Sequence, residues 1–383
     1  MKFTINLSNV KLHIISFAIP DPPNYGGVID VYYKIKALAN QGVKIMLHCY
    51  QYDDRQPSEK LAEICEEVYY YKREMSWRKA ISTTPFIMAS RNNKELVNRL
   101  KEDNYPILFE GMHTAVIADQ LKNNNRVLAL RMHNLEWDYY RHLAKQESNI
   151  FKRVFYSLES NKLKHNRSVL QEMNSVFTIS PKEHSTLSKT YNNCQYLPVF
   201  HANNEVKIKS GKGKYILYHG NLTVAENKHA VNFIVSELYQ KLALDIPIII
   251  AGKMDQKAAE AIETIRYVEF KPNPTSEEMD DLVANAHIHL LPTFQSTGIK
   301  LKLINALYNG RFCVANTPMV AGTGLEELCF VADTPQAMID EIKTLWQQDF
   351  SDAMIESRNQ VLSKSFSNEK SAHQLIQWLS SLP

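Results

Sequence analysis

The chain has 383 residues, of which 44% are hydrophobic and 22% charged, a composition typical of soluble globular proteins. This length exceeds what one ordinary hydrophobic core accommodates and predicts two or three domains. The formal net charge of +3 is nearly balanced and gives no indication of nucleic-acid binding. The five cysteines include no C-x-x-C pair, so neither a zinc site nor a disulfide framework is indicated, and a reducing, cytoplasmic setting is expected.

Strands and helices alternate through the first half of the chain. An apolar run at 12–18 predicts a strand, and a turn-rich loop then leads to a helix at 28–41 and a strand at 43–50. Strands separated by helices of ten or more residues indicate βαβ units and a parallel sheet. Further strands are predicted at 67–71, 106–109, 126–131 and 175–179, with helices at 92–103, 113–123, 136–145, 149–173 and from 181.

The alternation stops at a polar, lysine-rich stretch and then restarts. We interpret residues 201–213 as a linker between a first domain, 1–200, and a second, 214–365. The segment 366–383 is predicted to form a helix that packs back on the first domain. The expected fold class is α/β, with two doubly wound parallel-sheet domains facing across a cleft. In the second domain, strands are predicted at 215–218, 247–251, 268–270, 287–291, 312–315 and 329–332, and helices at 226–239, 256–264, 276–284 (capped by Ser276) and 335–346.

The stretch from His287 to Pro318 carries the strongest indication of a binding site. A buried strand is followed by a loop containing Gly298, a helix of about ten residues and a second buried strand. Lys300 and Lys302 stand where this helix begins, where positive charge opposes the helix dipole. An anion between them would explain the arrangement, although a solvated exposed face is the alternative. The stretch predicts a site for a diphosphate.

Other candidate residues follow predicted strands, at the edge where open α/β sheets bind ligands. Gly26 and Gly27 let the backbone approach an anionic ligand, or they form only a tight turn. His133 suits a contact to a sugar hydroxyl or carbonyl, with helix capping as the structural alternative for its neighbourhood. Glu110 and His113 flank a glycine one strand earlier and line the same predicted cleft, but their spacing identifies no partner.

Two further regions are considered. Asn221 follows the first strand of the second domain, and Lys228 near the next helix start could reach a diphosphate as a point charge. Between Lys72 and Arg91, five basic residues are mixed with Trp77 and other apolar side chains. Such a surface suits anionic lipid headgroups or an amphiphilic acceptor, while packed helices with solvated outer faces are the more common case.

Several segments together resemble the retaining GT-B glycosyltransferases. The resemblance runs through YGGVIDVYYKIKALANQGVKIMLHCY, RMHNLEWDYYRHLA, VFTISPKEHSTL, YLPVF, YILYHGNLTVAENKHAVNFI and GIKLKLINAL, and covers essentially the whole chain in order. It implies two Rossmann-like domains, an acceptor-binding one at 1–200 and one at 214–365 that binds the nucleotide sugar. It further implies a metal-independent transfer with retention of configuration, no cofactor, and contact of His133 with the donor sugar.

Departures from the family pattern alter the expected donor site. The two glutamates usual in the family are replaced by Thr297 and Asn305, and the usual arginine by Asn221. Lys228 lies about one residue out of register with the family's lysine. The resemblance therefore implies that Lys300 stabilises the leaving diphosphate and that Asn305 holds the ribose. The expected donor-binding set is Gly26, Gly27, Asn221, Lys228, Thr297, Gly298, Ile299, Leu301, Lys302 and Asn305; His133 and Lys300 are the expected catalytic residues, and Glu110, His113 and Trp77 are acceptor-side candidates.

The function expected on this basis is hexosyl transfer from a nucleotide-diphosphate sugar to a saccharide or lipid-linked acceptor in cell-surface polysaccharide synthesis. The protein is expected in the cytoplasm, with peripheral contact at the inner face of the membrane and no nucleic-acid partner. Loss of both glutamates leaves open a catalytically weakened binding or scaffold protein. A nucleotide-sugar epimerase of the same fold is a further alternative, and it would need a cleft carboxylate such as Glu110.

Overall fold

The computed structural model describes residues 10–52, 54–122, 126–242, 246–254, 266–295 and 300–381. These residues form two compact units. The first contains the described residues up to Ala202 together with those from Phe366 onward, and the second contains the described residues from Asn203 to Ser365. None of the described helices is long and apolar enough to cross a lipid bilayer.

The first unit is built on a seven-stranded sheet in which every pairing is parallel. Its strand order is β3-β2-β1-β4-β5-β6-β7, so the direction of winding changes between β1 and β4. Open α/β sheets bind ligands beside such a switch point, at the carboxyl ends of the strands. The strands are β1 (Lys11–Ser16), β2 (Lys44–Gln51), β3 (Glu67–Lys72), β4 (Ile107–Glu110), β5 (Leu128–Met132), β6 (Ser175–Thr178) and β7 (Cys194–Tyr196).

Helices cover both faces of this sheet, because alternate side chains of each strand point to opposite faces. On β1, Ile14 packs into one hydrophobic core and Ile15 into the other. On β4, Leu108 and Phe109 divide in the same way. Strands buried on both faces therefore appear in the sequence as continuous apolar runs, which is the pattern from which they were predicted.

The second unit repeats this plan with six strands, again all parallel. The order is β10-β9-β8-β11-β12-β13, with the switch point between β8 and β11. The α/β fold class predicted from the sequence is thus confirmed for both units. The strands are β8 (Ile216–His219), β9 (Ile248–Gly252), β10 (Val268–Pro272), β11 (Ile288–Leu291), β12 (Phe312–Ala315) and β13 (Phe330–Val331).

The helices connect these strands. In the first unit they are Gly26–Asn40, Glu59–Ile64, Trp77–Ala80, Phe86–Ala89, Lys94–Leu100, Glu136–Gln146, Ile150–His165, Pro181–Leu187 and Asn368–Ser381, with 3₁₀ turns at Ala115–Leu121 and Asn166–Glu172. In the second unit they are Ala225–Phe233, Gln240–Leu242, Ser276–Asn285, Leu301–Asn309, Thr317–Val320, Pro335–Trp346 and Asp352–Ser365, with a π-helical segment at Ile234–Tyr239 and a 3₁₀ turn at Glu326–Leu328.

The helix Asn368–Ser381 packs within the first unit. Its residues Leu375 and Ile376 join the core that contains Ile35 of the first long helix. The Asn368 amide anchors its start, since its Nδ2 donates to the His201 carbonyl at 2.7 Å and its Oδ1 accepts from the His201 backbone N–H at 3.1 Å. The chain therefore returns to the first unit after completing the second.

The stretch interpreted as a linker is attached to structure along its length. The Lys207 backbone N–H donates to the Tyr308 carbonyl at 2.9 Å, and Ile208 is buried in the core of the second unit. Gly211 forms a β-bridge with Phe350. From Asn203 onward, the polar segment therefore belongs to the second unit.

Three local elements differ from the sequence-based predictions or cannot be compared with them. Strand β7 was not predicted, because a three-residue strand is too short to show a periodic pattern. Ser276 was wrongly identified as a helix cap: the capping residue is Thr275, whose hydroxyl accepts from the Glu278 N–H while the Glu278 carboxylate accepts from the Thr275 N–H. The helix predicted at 256–264 lies outside the described residues.

Candidate functional site

Five side chains meet at the carboxyl edge of the first sheet, and we call them the charge network: Asp30, Lys34, Glu110, Arg131 and His133. Asp30 accepts two hydrogen bonds from the Arg131 guanidinium, at 2.8 and 3.1 Å, and one from Lys34 Nζ at 2.8 Å. Lys34 Nζ also lies 2.9 Å from the Glu110 carboxylate, whose Oε2 lies 2.9 Å from His133 Nε2. The network joins the first long helix, β4, β5 and the segment after β5.

The network is almost fully buried, with each residue at most 7% exposed. Burial alone would raise the pKa of Asp30, but the charges of Arg131 and Lys34 lower it far below its usual range. The pKa of Glu110 is likewise lowered, because Lys34 and the hydrogen bond to His133 outweigh burial. Both carboxylates are therefore ionised near neutral pH, and each has a cation in direct contact.

Asp30, Glu110 and His133 could in principle hold a metal ion. Each offers one ligand atom, and these atoms lie within 4.8 Å of one another. However, Lys34 and Arg131 already neutralise both carboxylates at 2.8–2.9 Å. A divalent ion would bring its charge beside two buried cations, which is unfavourable in a low-dielectric interior. The geometry therefore favours an ion-pair network over a metal centre.

Phe17, directly after β1, brings several predicted residues together. Its ring centroid lies 5.3 Å from those of both His113 and His133. A Cβ on Gly27 would lie 2.7 Å from Phe17 Cζ, so the glycine permits this close packing. Gly111 has φ +74°, a conformation that favours glycine, and a Cβ there would meet the His113 ring at 2.6 Å. Gly27, His113 and His133 thus surround one aromatic ring.

In the second unit, four polar side chains form what we call the lysine cluster: Glu226, Asn227, Lys300 and Lys302. Lys300 Nζ lies 3.4 Å from Glu226 Oε1, which also accepts a hydrogen bond from the Thr293 hydroxyl. Lys302 Nζ donates to Asn227 Oδ1 at 2.7 Å. These residues come from two helix starts, at the carboxyl ends of the adjacent strands β8 and β11.

The two glycines behind the cluster allow the backbone to approach closely. A Cβ on Gly220 would lie 3.2 Å from both Asn227 and Lys302 Nζ. Gly252, at φ +144°, lies so close to the Gly220 carbonyl that a Cβ would overlap it at 1.8 Å.

Asn316 fixes the loop after β11. Its Oδ1 accepts a hydrogen bond from the Thr293 N–H at 3.0 Å, and its Nδ2 donates one to the Thr293 carbonyl at 2.7 Å.

The lysine cluster carries more positive than negative charge. Among the described residues, Glu226 is the one carboxylate against the two lysines. The contacts of Lys302 are neutral: the Asn227 oxygen, the Tyr218 hydroxyl at 3.5 Å and the Tyr218 ring, whose centroid lies 5.0 Å from Nζ. Burial lowers the pKa of Lys302 to about 8. The negative charge of Glu226 raises this pKa, and the positive charge of Lys300 lowers it. The arrangement is suited to binding an anion, which would supply the missing negative charge.

The remaining predicted donor residues differ in their contacts. Asn305 Oδ1 already accepts from Asn309 Nδ2 at 2.8 Å and from Asn203 Nδ2 at 3.5 Å. Asn221 Oδ1 accepts from the backbone N–H and hydroxyl of Thr223, so its side chain holds the turn after β8. Lys228 is exposed, while Glu226 and Asn227 from the same helix contact the lysines. Leu301 is the partly buried first residue of its helix, Gly26 is the exposed first residue of its own, and Thr297, Gly298 and Ile299 lie outside the described residues.

Trp77, an acceptor-side candidate, lies in the short helix Trp77–Ala80 and is 69% exposed. Its ring centroid lies 5.7 Å from the Arg78 guanidinium carbon. Its role stays a prediction.

Sequence reasoning missed Asp30, Lys34 and Arg131, although two signals were present. Asp30 and Lys34 are four residues apart on a helix that is otherwise apolar on that face. Arg131 interrupts the apolar run of β5, and a charge in a buried strand needs a partner. The partner itself could not be found from the sequence, because Asp30 is 101 residues away.

Known proteins resemble this chain in sequence and in fold. Residues 213–348 match the model of the family described as Glycosyl transferases group 1. A curated relative, an uncharacterized 44.6 kDa protein in the cps region of Klebsiella pneumoniae, is 26% identical over 333 residues, covering 82% of this chain and 84% of the relative.

Solved structures share the fold at low sequence identity. Sucrose-phosphate synthase from Thermosynechococcus elongatus superposes with a TM-score of 0.68 at 14% identity, covering 97% of this chain and 99% of that one. HepE from Anabaena, in complex with UDP and glucose, gives 0.67 at 12% identity, covering 97% and 100%. The match to this family lies within the second unit, and the chain shares the GT-B fold of these solved structures.

Proposed function

We propose that this protein is a hexosyltransferase that moves a sugar from a nucleotide-diphosphate donor to a saccharide or lipid-linked acceptor. The observation that carries the proposal is the excess positive charge of the lysine cluster, within the segment that matches the family model. The similar HepE structure holds UDP and glucose, which supports a nucleotide-sugar donor. The relative from a cps region supports a role in cell-surface polysaccharide synthesis.

In the proposed reaction, an acceptor hydroxyl oxygen forms a bond to the anomeric carbon of the sugar as the bond between that carbon and the diphosphate breaks. Negative charge develops on the leaving phosphate oxygen, and the proton of the acceptor hydroxyl passes to the released nucleoside diphosphate or to solvent. Lys300 and Lys302 would stabilise that charge, because preorganised cations in a buried site need little reorganisation as the reaction proceeds. Glu226 and Asn227 would hold the two ammonium groups in position. His133 is proposed to contact the donor sugar, and the transfer is proposed to retain configuration and to need no metal.

The first experiment is a thermal-shift screen of the full chain against nucleoside diphosphates and nucleotide sugars. A ligand at 100 times its dissociation constant should stabilise the protein by about 2.7 kcal/mol. Lys300→Met should reduce this stabilisation to about 1 kcal/mol or less, whereas Lys343→Met, which removes an exposed lysine of the same unit, should preserve it. An unchanged shift in Lys300→Met would contradict the assignment.

The donor selected by this screen is then supplied with saccharide and lipid-linked acceptors. Transfer should persist in the presence of a chelator, and the anomeric configuration of the product, read by nuclear magnetic resonance, tests retention. Transfer that survives both His133→Ala and Lys300→Ala would overturn the proposed roles.

A second candidate, a binding protein without turnover, is favoured by one observation. The resemblance expects a carboxylate where this chain has Asn305, and the Asn305 oxygen already accepts hydrogen bonds from Asn309 and Asn203. Nucleotide-dependent stabilisation without hydrolysis or transfer, across all donors and acceptors tested, would support this candidate over the enzyme.

A further inference from the structure

The helix Ile150–His165 has apolar residues on two opposite sides. Its inner side packs on the first unit through Ser160 and Leu163, which are buried. Its outer side carries Ile150, Phe151, Val154 and Leu158, which are 50%, 83%, 51% and 55% exposed. We call these four residues the outer apolar face.

The spacing of these residues places them on one side of the helix. Ile150, Val154 and Leu158 follow at intervals of four, and Phe151 stands beside them. Eight residues of α-helix advance about 12 Å, so the face is a continuous strip of that length. The inner side of the helix already packs against the first unit. The fold therefore does not explain why four large apolar side chains on the outer side are at least half exposed.

A second exposed apolar segment adjoins this helix. Met75, Trp77 and Ile81 are 62%, 69% and 72% exposed. Lys162 Nζ of the helix donates to the Ala80 carbonyl at 2.7 Å, and the Phe86 N–H donates to Glu159 Oε2 at 2.6 Å. The segment is therefore fixed against the helix, and it carries exposed apolar side chains of its own.

The polar residues of this region are strongly biased towards positive charge. Residues 150–167 include five lysines and arginines but one acidic residue, Glu159, which is buried and paired with Lys162 at 2.9 Å. Lys152, Arg153 and Lys164 are exposed on the helix. Arg78 is exposed on the adjoining segment. Around the helix axis, Arg153 and Lys164 lie about 60° and about 40° from Ile150, so these two cations border the outer apolar face, whereas Lys152 lies on the opposite side.

We propose that this surface binds an anionic lipid bilayer, with the helix Ile150–His165 lying in the plane of the interface. Phe151, Val154 and Leu158 would enter the boundary between headgroups and acyl chains, while the cations contact the headgroups. The charge favours this occupant over a second copy of the chain, because two copies meeting through this surface would bring like charges together. The proposal is independent of the proposed catalytic function.

The experiment measures flotation of the full-length protein with vesicles of phosphatidylcholine alone and of phosphatidylcholine with 30% phosphatidylglycerol. The wild-type protein should float with the anionic vesicles and remain free of the neutral ones. The double variant Phe151→Ser, Leu158→Ser should reduce binding by at least about tenfold, since two large apolar side chains no longer enter the interface. The double variant Arg153→Ser, Lys164→Ser should reduce it by about tenfold or more through lost attraction to the headgroups.

Val331→Ser is the matched control, because it removes an apolar residue 41% exposed on the second unit. It should bind vesicles as the wild type does, and all variants should retain the wild-type melting temperature. Failure to bind anionic vesicles would overturn the proposal, as would equal binding to both vesicle types. If light scattering shows that the wild-type protein is a dimer and that the double variant Phe151→Ser, Leu158→Ser is a monomer, the outer apolar face serves self-association. That result would also overturn the proposal.

Discussion

The two units place charged side chains at the same edge of their sheets, but they balance the charges differently. In the charge network, Asp30 and Glu110 face Lys34 and Arg131, so each carboxylate contacts a cation. In the lysine cluster, the described contacts set two lysines against Glu226 alone. The first arrangement is electrostatically complete and ties elements of the fold together. The second carries an unsatisfied charge, which is the state expected of a site that awaits an anionic ligand.

Removing a cation from the charge network should have the largest effect. Arg131→Met leaves the buried Asp30 carboxylate with one cation fewer and should lower the free energy of unfolding by about 3–5 kcal/mol. Urea denaturation measures this loss. Lys241→Met, which breaks an exposed ion pair with Glu237, is the control and should cost about 0.5 kcal/mol. Equal losses in the two variants would break the comparison.

Removing a cation from the lysine cluster should have the opposite consequence. Lys302→Met removes a partly buried charge whose contacts are neutral, so the free protein should keep or gain stability. Affinity for a nucleoside diphosphate should fall by about 2 kcal/mol, the value of a charge-assisted hydrogen bond. Calorimetric titration and thermal melting of one preparation measure both effects. A variant that is destabilised yet binds normally would assign Lys302 a structural role.

The charge on Lys302 also predicts a dependence on pH. Its pKa is lowered to about 8 by burial, whereas an unfolded lysine titrates near 10.4. Between these values the unfolded chain binds a proton that the folded chain does not, so the stability of the free protein should rise with pH in this window. Affinity for a nucleoside diphosphate should fall above pH 8, by up to about tenfold per pH unit. A Lys302→Met variant with the same decline would remove Lys302 as the cause.

The smallest expected effect is the loss of stability when a helix cap of the second unit, away from the lysine cluster, is removed. Thr275→Ala removes a capping box and should lower the free energy of unfolding by about 1 kcal/mol without changing nucleotide affinity. Ser276→Ala should change neither quantity. Chemical denaturation and calorimetric titration of both variants separate general destabilisation from loss of the site. A drop in affinity with Thr275→Ala would mean that binding reports only on the stability of this unit.

The sequence was sufficient for the fold because its signals are local. Strands such as β4 and β11 are buried on both faces and appear as apolar runs, and their alternation with helices predicts parallel sheets. Short elements failed this test. Strand β7 has three residues, and the cap at Thr275 differs by one position from an equally plausible serine.

The candidate site was predictable only in part, for a different reason. Lys300 and Lys302 stand out because cations at a helix start oppose the dipole, and that conflict is visible in the sequence. The residue that balances Lys300 is not visible, since Glu226 is 74 positions away and resembles any surface glutamate. The sequence analysis instead predicted that Lys228, two residues further along the same helix, contacts the diphosphate, because a lysine is the expected partner of a phosphate. Partners of buried charges are set by tertiary structure, which spacing does not reveal.

The path of the chain has a consequence for biosynthesis. Residues 203–365 are contiguous and contain the six described strands of the second sheet, so this unit is translated in full before Asn368. The first unit, although translated first, lacks the helix that covers Ile35 until the last segment emerges. We therefore expect its nascent form to expose an apolar surface throughout the synthesis of the second unit, and such a surface is of the kind that chaperones bind.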